Sequence, residues 1–235
     1  MQYSGENKIK AKIPTRIEYE SLSDIAYRII RDKILVCELG PGSKIVEEKL
    51  AQEMGISRTP LRKALTKLEK EEFIVVVPRK GTYVKKLSPK EIKEIYELRR
   101  LLEGFAAEQA AHFINVDQLK KMRQSCRKHS AAAKKGDLLS CLIYNMEFHK
   151  VLVEASKNGK LLKVVNGFHL QLQAMRLSNV EQSPEIMETQ EEVINEHLSI
   201  IEALSKGDGK LAKRLVEEHI ISRRTKKIFS DLQFQ

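Results

Sequence analysis

Cysteine is scarce in this 235-residue chain, and long apolar runs are missing. Cys37, Cys126 and Cys141 are widely separated, and none of them belongs to a Cys-x-x-Cys pair. This usage suits a reducing compartment, gives no thiolate zinc site and indicates small core or surface residues. The first twenty residues have no apolar centre, and no later run approaches the roughly 20 apolar residues that cross a bilayer. We therefore expect a cytoplasmic protein.

Acidic residues are outnumbered, and the imbalance is greatest at the start of the chain. The composition, with 42% hydrophobic and 31% charged residues, is typical of a folded protein, and the net charge is +10. Residues 1–86 contain 18 basic and 12 acidic residues, so this third carries +6 and the rest +4. A basic surplus there indicates a polyanionic partner such as nucleic acid, although a solvated basic face would have the same composition.

Three stretches between residues 22 and 70 have apolar residues at helical spacing. The first begins at Leu22 and ends before LGPGS (39–43). A short helix fits EEKLAQEM (47–54), closed by Gly55 in the left-handed conformation. The third helix buries a stripe of Leu61, Ala64, Leu65 and Leu68. The pattern predicts three short helices around one small core.

Pro60 stands near the start of the third helix, in GISRTPLRKAL (55–65). Proline is tolerated in a first turn because the N–H groups there have no intrahelical acceptor, so it marks the start of the helix. Either Ser57 or Thr59 is the expected cap, with a hydroxyl that accepts a free N–H. The basic residues beside the proline lie off the apolar stripe, where they form either a solvated face or a phosphate-facing surface.

Two β-rich runs surround PRKG in FIVVVPRKGTYV (73–84), which predicts a hairpin with a basic tip. Helix, helix, turn, basic-ended helix and hairpin is the element order of a winged helix-turn-helix. That fold lays its recognition helix in the major groove of DNA. The basic residues and the predicted fold therefore indicate the same partner.

The stretch PGSKIVEEKLAQEMGISRTPLRKALTKLEKEEFIVVVPRKGTYV resembles the DNA-binding domain of the GntR family of bacterial repressors, over residues 22–86. The resemblance implies contacts with double-stranded operator DNA from the recognition helix and the wing, with the candidates Arg58, Thr59, Arg62, Lys63, Lys80 and Gly81. Family members often carry a basic residue where this chain has Glu48. Lys49 is the candidate for the contact that would otherwise be lost.

A second domain begins at Ser88, which with Pro89 and Glu91 forms a capping box with a proline start. Beyond it the pattern predicts only helices, at 89–113, 117–135, 137–157, 159–179, 184–206 and 209–230. We therefore predict a mainly α protein with a basic arm (1–21), a winged helix-turn-helix domain (22–86) and an antiparallel bundle of about six helices (87–235).

Histidines interrupt the apolar stripes of three bundle helices. His149 follows Leu138, Leu142 and Asn145, His197 lies in line with Ile186 and Ile201, and His219 with Leu211 and Leu215. A single such histidine is more often a hydrogen-bonded core residue, and His169 shows how easily the pattern arises. Three imidazoles and an oxygen donor nevertheless make a set that suits zinc or nickel, and helix bundles build such sites. His112 and His129 lie near predicted helix ends in polar surroundings, and neither is a candidate metal ligand.

YNMEFHKVLVEASKN resembles the signature helix of the FCD ligand-binding domain, which belongs to the FadR-type branch of GntR regulators. The resemblance implies a divalent metal ion held by Asn145, His149, His197 and His219, with a neutral asparagine where metal-binding members have an acidic residue. It also implies that Arg99, in ELRRLLEG, reaches the carboxylate of a small effector. An exposed salt bridge to a neighbouring glutamate is the alternative role for Arg99.

These patterns lead to three hypotheses for the function of the protein. The first is a homodimeric repressor that binds a palindromic operator and releases it when a carboxylate effector occupies the bundle near the metal. The second is a metal-dependent hydrolase with an appended DNA-binding domain, although Glu196 and Glu218 should point about 100° away from the neighbouring histidines. The third is an architectural DNA binder without an effector.

Overall fold

A helix from Leu22 to Leu35 (α1) begins the part of the chain that this computed structural model describes, residues 20–178 and 189–222. The Ser21 side chain caps this helix by accepting the N–H of Asp24. The elements that follow are β1 (Lys44–Ile45), α2 (Glu47–Met54), α3 (Arg58–Lys70), β2 (Ile74–Val77) and β3 (Gly81–Val84). Together they form the predicted winged helix-turn-helix.

The turn between α2 and α3 follows from two residues. Gly55 ends α2 with a φ of 62°, the left-handed conformation predicted for it. Ser57 is the cap of α3, but its side chain accepts no helix N–H, so the predicted capping bond is wrong. A capping hydroxyl bonds the second or third N–H of a helix, and the third residue of α3 is Pro60, which has none.

The wing is a three-stranded antiparallel sheet in the order β1–β3–β2. Val77 pairs with Gly81 at the end of the hairpin, and Arg79 and Gly81 adopt positive φ angles of 62° and 118° in the turn. The basic tip is exposed, as the sequence predicts. The strand β1 was not predicted, because two residues are too few to show an alternating pattern.

The described residues of the second region form six helices, which confirm the predicted bundle. They are α4 (Pro89–Phe113), α5 (Val116–Ala133), α6 (Leu138–Ala155), α7 (Gly159–Ser178), α8 (Gln190–Ser205) and α9 (Gly209–Ile220). The capping box of Ser88 and Glu91 is present, with Pro89 in the first turn. The predicted beginning of the fifth bundle helix, with Ile186, and the end of the sixth lie outside the described residues. No described helix is long and apolar enough to span a membrane.

Each region has its own apolar core, and α7 contributes to both. Leu170 and Ala174 pack into the core of the winged helix-turn-helix, whereas Leu172 and Met175 pack into the core of the bundle. Cys126 and Cys141 are free and buried in the bundle, which fits their predicted role as small core residues. One helix therefore connects the two hydrophobic cores.

Polar contacts accompany this packing. The side-chain amide of Gln173 donates to the Leu35 carbonyl at 3.1 Å, and Gln171 donates to the Glu71 carbonyl at 3.3 Å. The Cys37 thiol approaches the Ala174 carbonyl at 3.3 Å. These bonds tie α7 to the ends of α1 and α3.

The helices α4 and α9 pack closely because glycine faces the neighbouring helix. A Cβ atom on Gly209, the first residue of α9, would lie 2.8 Å from the Glu108 carbonyl oxygen. A backbone atom cannot move aside as a flexible side chain can. Gly209 is therefore needed for the approach of these helices.

We expect Gly209→Ala to destabilise the protein by about 1–3 kcal/mol, the usual cost of overpacking. Gly159, the first residue of α7, is the matched control, since a Cβ there meets nothing within 4 Å. Gly159→Ala should leave stability unchanged or raise it by up to about 1 kcal/mol. Urea unfolding followed by circular dichroism measures both, and equal stabilities would contradict the steric argument.

Candidate nucleic-acid interface and metal centre

The residues predicted to contact DNA lie on the surface of the winged helix-turn-helix. The first turns of α3 present Arg58, Thr59, Arg62 and Lys63, all exposed, and the apolar stripe on the opposite side is buried. Lys49 is exposed on α2, and Lys80 and Gly81 lie at the tip of the wing. The structure thus leaves these side chains accessible to a partner.

Two glutamates of α2 hold the arginines of α3. Arg58 Nη2 donates to Glu48 Oε1 at 2.7 Å, and Arg62 Nε donates to Glu47 Oε2 at 2.9 Å. The arginine side chains are 58% and 66% exposed, respectively. Ion pairs this exposed contribute only about 0–1 kcal/mol, and each engages only part of a guanidinium, which leaves its other N–H groups available to DNA.

The three histidines predicted to bind a metal converge from α6, α8 and α9. His149 Nε2 lies 3.2 Å from His219 Nε2, which in turn lies 3.3 Å from His197 Nε2. The ligand atoms of all three residues lie within 4.8 Å of one another. His149 and His197 are completely buried. Residues separated by up to 70 positions in the chain therefore share one point in space.

Carboxylates behind two of the imidazoles determine which ring nitrogen carries the proton. Glu103 Oε2 lies 2.6 Å from His149 Nδ1, and Glu196 Oε2 lies 2.6 Å from His219 Nδ1. An ionised carboxylate only accepts hydrogen bonds, so each Nδ1 carries hydrogen and each Nε2 presents its lone pair. Two lone pairs that face each other at 3.2 Å repel unless a cation or a proton lies between them.

Glu196 makes a contact that helical spacing alone does not predict. It adjoins His197 in the chain, but its carboxylate reaches His219 on the neighbouring helix. Helical spacing describes one helix at a time and says nothing of such a contact. Glu196 is therefore a partner of the histidine cluster.

The distances from His219 Nε2 to the other two Nε2 atoms fit a shared metal ion. Zinc–nitrogen bonds of about 2.0–2.1 Å in tetrahedral geometry place two ligand nitrogens about 3.3 Å apart. The observed separations of 3.2 and 3.3 Å agree with that value. Asn145 is buried one turn before His149 on α6. A fourth ligand from that turn would be a neutral oxygen.

Glu103 connects the histidine cluster to further charged groups, and the sequence analysis did not identify it. Its Oε1 accepts from Arg99 Nε at 2.7 Å and lies 3.1 Å from His169 Nε2. Arg99, Glu103 and His169 are all buried. The salt bridge considered as the alternative role of Arg99 thus exists, but it is buried and not exposed. The four-residue spacing of Arg99 and Glu103 was the available signal.

The protonation states of this network follow from burial and from Arg99. Burial opposes the charge of Glu103, but the Arg99 guanidinium and the imidazoles outweigh it and hold the pKa of Glu103 well below its usual range. Burial lowers the pKa of His149 and of His169 to about 4, even though Glu103 opposes this shift. Glu103 is therefore an anion balanced by Arg99, beside two neutral imidazoles.

His129 also differs from its prediction. It lies near the end of α5, as predicted, but it is buried, and its Nε2 lies 2.8 Å from Gln190 Oε1. Its ring centroid lies 6.4 Å from that of His197. Burial lowers its pKa, which favours the neutral ring. His129 thus lines the polar interior of the bundle.

Comparison with known proteins agrees with this arrangement. Residues 94–222 match the FCD domain family, and residues 22–84 match the gntR family of bacterial regulatory proteins. The chain belongs to the GntR family and carries an FCD domain. The family consists of transcriptional regulators and not enzymes. The hypothesis of a metal-dependent hydrolase therefore has no support.

Several proteins of known sequence or structure are similar to this chain. The HTH-type transcriptional repressor RspR of Escherichia coli K12 is 26% identical over 195 residues, which cover 83% of each chain. The Nta operon transcriptional regulator of Aminobacter aminovorans is 34% identical over 53% of this chain and 59% of its own length. The structure of McbR/YncC from E. coli covers 92% of this chain and 99% of its own, with a TM-score of 0.78 at 21% identity, which shows a common fold.

We expect Arg99→Ala to destabilise this GntR regulator by about 3–5 kcal/mol, because it leaves the Glu103 anion buried without its cation. Arg100→Ala is the matched control, since Arg100 is the adjacent residue and is exposed. That variant should stay within about 0.5 kcal/mol of the parent. Chemical denaturation compares them, and similar losses in both variants would refute the role of Arg99 in charge balance.

Proposed function

We propose that this GntR regulator is a homodimeric repressor that binds a palindromic operator in the cytoplasm and releases it when a small carboxylate binds beside a divalent metal ion. The observation that carries the proposal is the convergence of three imidazoles, two of them oriented by carboxylates, inside a domain linked to a DNA-binding module. An architectural DNA binder without an effector would have no use for such a polar centre.

In this proposal α3 enters the major groove. Arg58, Thr59 and Arg62 contact bases and phosphates near its beginning, with Lys63 and Lys49 beside them. Lys80 and Gly81 follow the backbone of the DNA at the wing. The exposure of the lysines and arginines among these residues supports this assignment.

The metal ligands are His149, His197 and His219, with Asn145 as a neutral oxygen donor. Zinc or nickel suits this set of donors. A divalent ion held by these residues would act as a Lewis acid and would attract a carboxylate. Glu103 and Glu196 orient two of the imidazoles and offset part of the positive charge of the ion.

Arg99 is the proposed partner of the effector carboxylate. Its side chain is only 2% exposed, so the effector has to enter the bundle to reach it. Glu103 occupies the Nε edge, which assigns the effector to the terminal nitrogens of the guanidinium. An effector carboxylate bound there would compete with Glu103 for the positive charge of Arg99.

The helix α7 offers a physical connection between the two functions. His169 on α7 contacts Glu103, and Gln173 and Ala174 on the same helix contact the end of α1 and the turn after it. A change in the charge around Glu103 would therefore act on a helix that packs against the DNA-binding domain. This arrangement supports control of operator binding by the effector.

An apolar stripe on α4 supports dimerisation. Leu98, Leu101 and Phe105 are exposed, and their spacing places them along one side of the helix. Large apolar side chains that share one helix face commonly pack against a second molecule. A dimer would present two copies of α3 to the two halves of a palindrome.

Arg58→Ala should abolish specific retardation of operator DNA while the bundle stays folded, because the variant loses a base contact worth about 1–3 kcal/mol and a phosphate-binding charge. Arg127→Ala, with the same loss of charge on the exposed surface of α5, should bind as the parent does. Gel retardation and circular dichroism provide the two readouts. Undiminished binding by Arg58→Ala would eliminate this contact.

The purified dimer should retain one divalent ion per chain, measured by elemental analysis and native mass spectrometry. Replacing His149, His197 and His219 together by alanine should abolish the retained ion, whereas His112→Ala, at an exposed position outside the cluster, should not. Glu196→Gln should weaken metal affinity by about 10- to 100-fold, because it loosens the orientation of His219. Unchanged metal content in the triple variant would show that the ligands are elsewhere.

A further inference from the structure

We propose that Glu48 determines operator specificity, and that its carboxylate selects cytosine at one position of each half-site. The inference rests on the proposed operator binding by α3 and extends it to a residue of opposite charge. Glu48 is an exposed acidic side chain beside the basic residues of α3, so it meets DNA with different chemistry.

The geometry brings Glu48 to the edge of the DNA-binding surface. It is the second residue of α2, its side chain is 77% exposed, and its Oε1 lies 2.7 Å from Arg58 Nη2 at the first residue of α3. A base reached by Arg58 is therefore within a few ångströms of the Glu48 carboxylate. The Glu48 carboxylate therefore lies close to the major groove when the Arg58 side chain enters that groove.

The chemistry of the groove restricts what Glu48 can meet there. A carboxylate only accepts hydrogen bonds, whereas phosphates, guanine O6 and N7, and thymine O4 are acceptors too. The donors on the base edges of the major groove are cytosine N4 and adenine N6. Glutamate characteristically accepts from cytosine N4, because adenine adds the acceptor N7 beside its donor. A cytosine at this position therefore offers the Glu48 carboxylate a hydrogen-bond donor, whereas guanine and thymine would offer acceptors that repel it.

The ion pair helps to orient the carboxylate for this contact. The guanidinium has five N–H donors in a planar fork, so a bond to Glu48 leaves others for a neighbouring guanine. Arg58 and Glu48 then present donors and an acceptor side by side. The pair matches a guanine and a cytosine at neighbouring positions of the half-site.

Glu47 is the matched control on the same turn of α2. Its side chain is only 32% exposed, and its Oε2 lies 2.9 Å from Arg62 Nε, further along α3. The lower exposure assigns it to holding Arg62 and not to reading a base. Substitution of Glu47 should thus change affinity without changing the preferred base.

The test is selection of binding sites from a randomised duplex DNA pool by the full-length protein, followed by sequencing. The parent should enrich a two-fold symmetric sequence with a fixed cytosine in each half. Glu48→Gln should replace that cytosine by adenine, since an amide pairs with adenine N6 and N7, and Glu47→Gln should retain it. Competition binding should give the parent about a 5- to 150-fold preference for cytosine at this position.

Glu48→Ala provides a second variant that should lose base preference at this position alone. A cytosine retained at full preference in both Glu48 variants would overturn the inference while leaving operator binding intact. Enrichment of no sequence by the folded parent would instead overturn the proposed operator binding, and the role of Glu48 with it.

Discussion

The buried carboxylate of Glu103 is the interaction on which the interior of the bundle depends. It lies on α4 and contacts Arg99 on the same helix, His149 on α6 and His169 on α7. A charge of this kind is costly in an apolar core unless it has a cation and hydrogen-bond donors around it. Because the partners come from three helices, their relative positions are linked through one side chain. The same carboxylate determines which nitrogen of His149 faces the other two imidazoles.

Much of the architecture was predictable from local patterns. Gly55, the capping box at Ser88 and the apolar stripe of α3 each act within one or two helical turns, and each appears as predicted. The convergence of His149, His197 and His219 was also predictable, because each interrupts the apolar face that its helix turns towards the core. The family resemblance identified the same residues independently.

Contacts between elements were not predictable in the same way. Glu196 and Glu103 are acidic residues on helices and look like members of solvated faces until the neighbouring helices are in place. The same is true of Glu47 and Glu48, which meet the arginines of the next helix. The missing bond from Ser57 has a partly local cause, since Pro60 removes one of the two amides that a capping hydroxyl can bond. Side chains that act across elements therefore account for most of what the sequence analysis missed.

Lys85 forms ion pairs on both sides of the junction between the two regions. It lies in the short connection from β3 to α4, where its Nζ is 3.0 Å from Glu72 Oε2 beside the wing and 2.9 Å from Glu91 Oε1 in the first turn of α4. A hinge at this point would have to stretch one ion pair or the other. Because α7 packs into both cores, rotation of one region relative to the other would also disturb the packing of α7. A movement of one region would therefore be transmitted to the other through α7 as a rigid element.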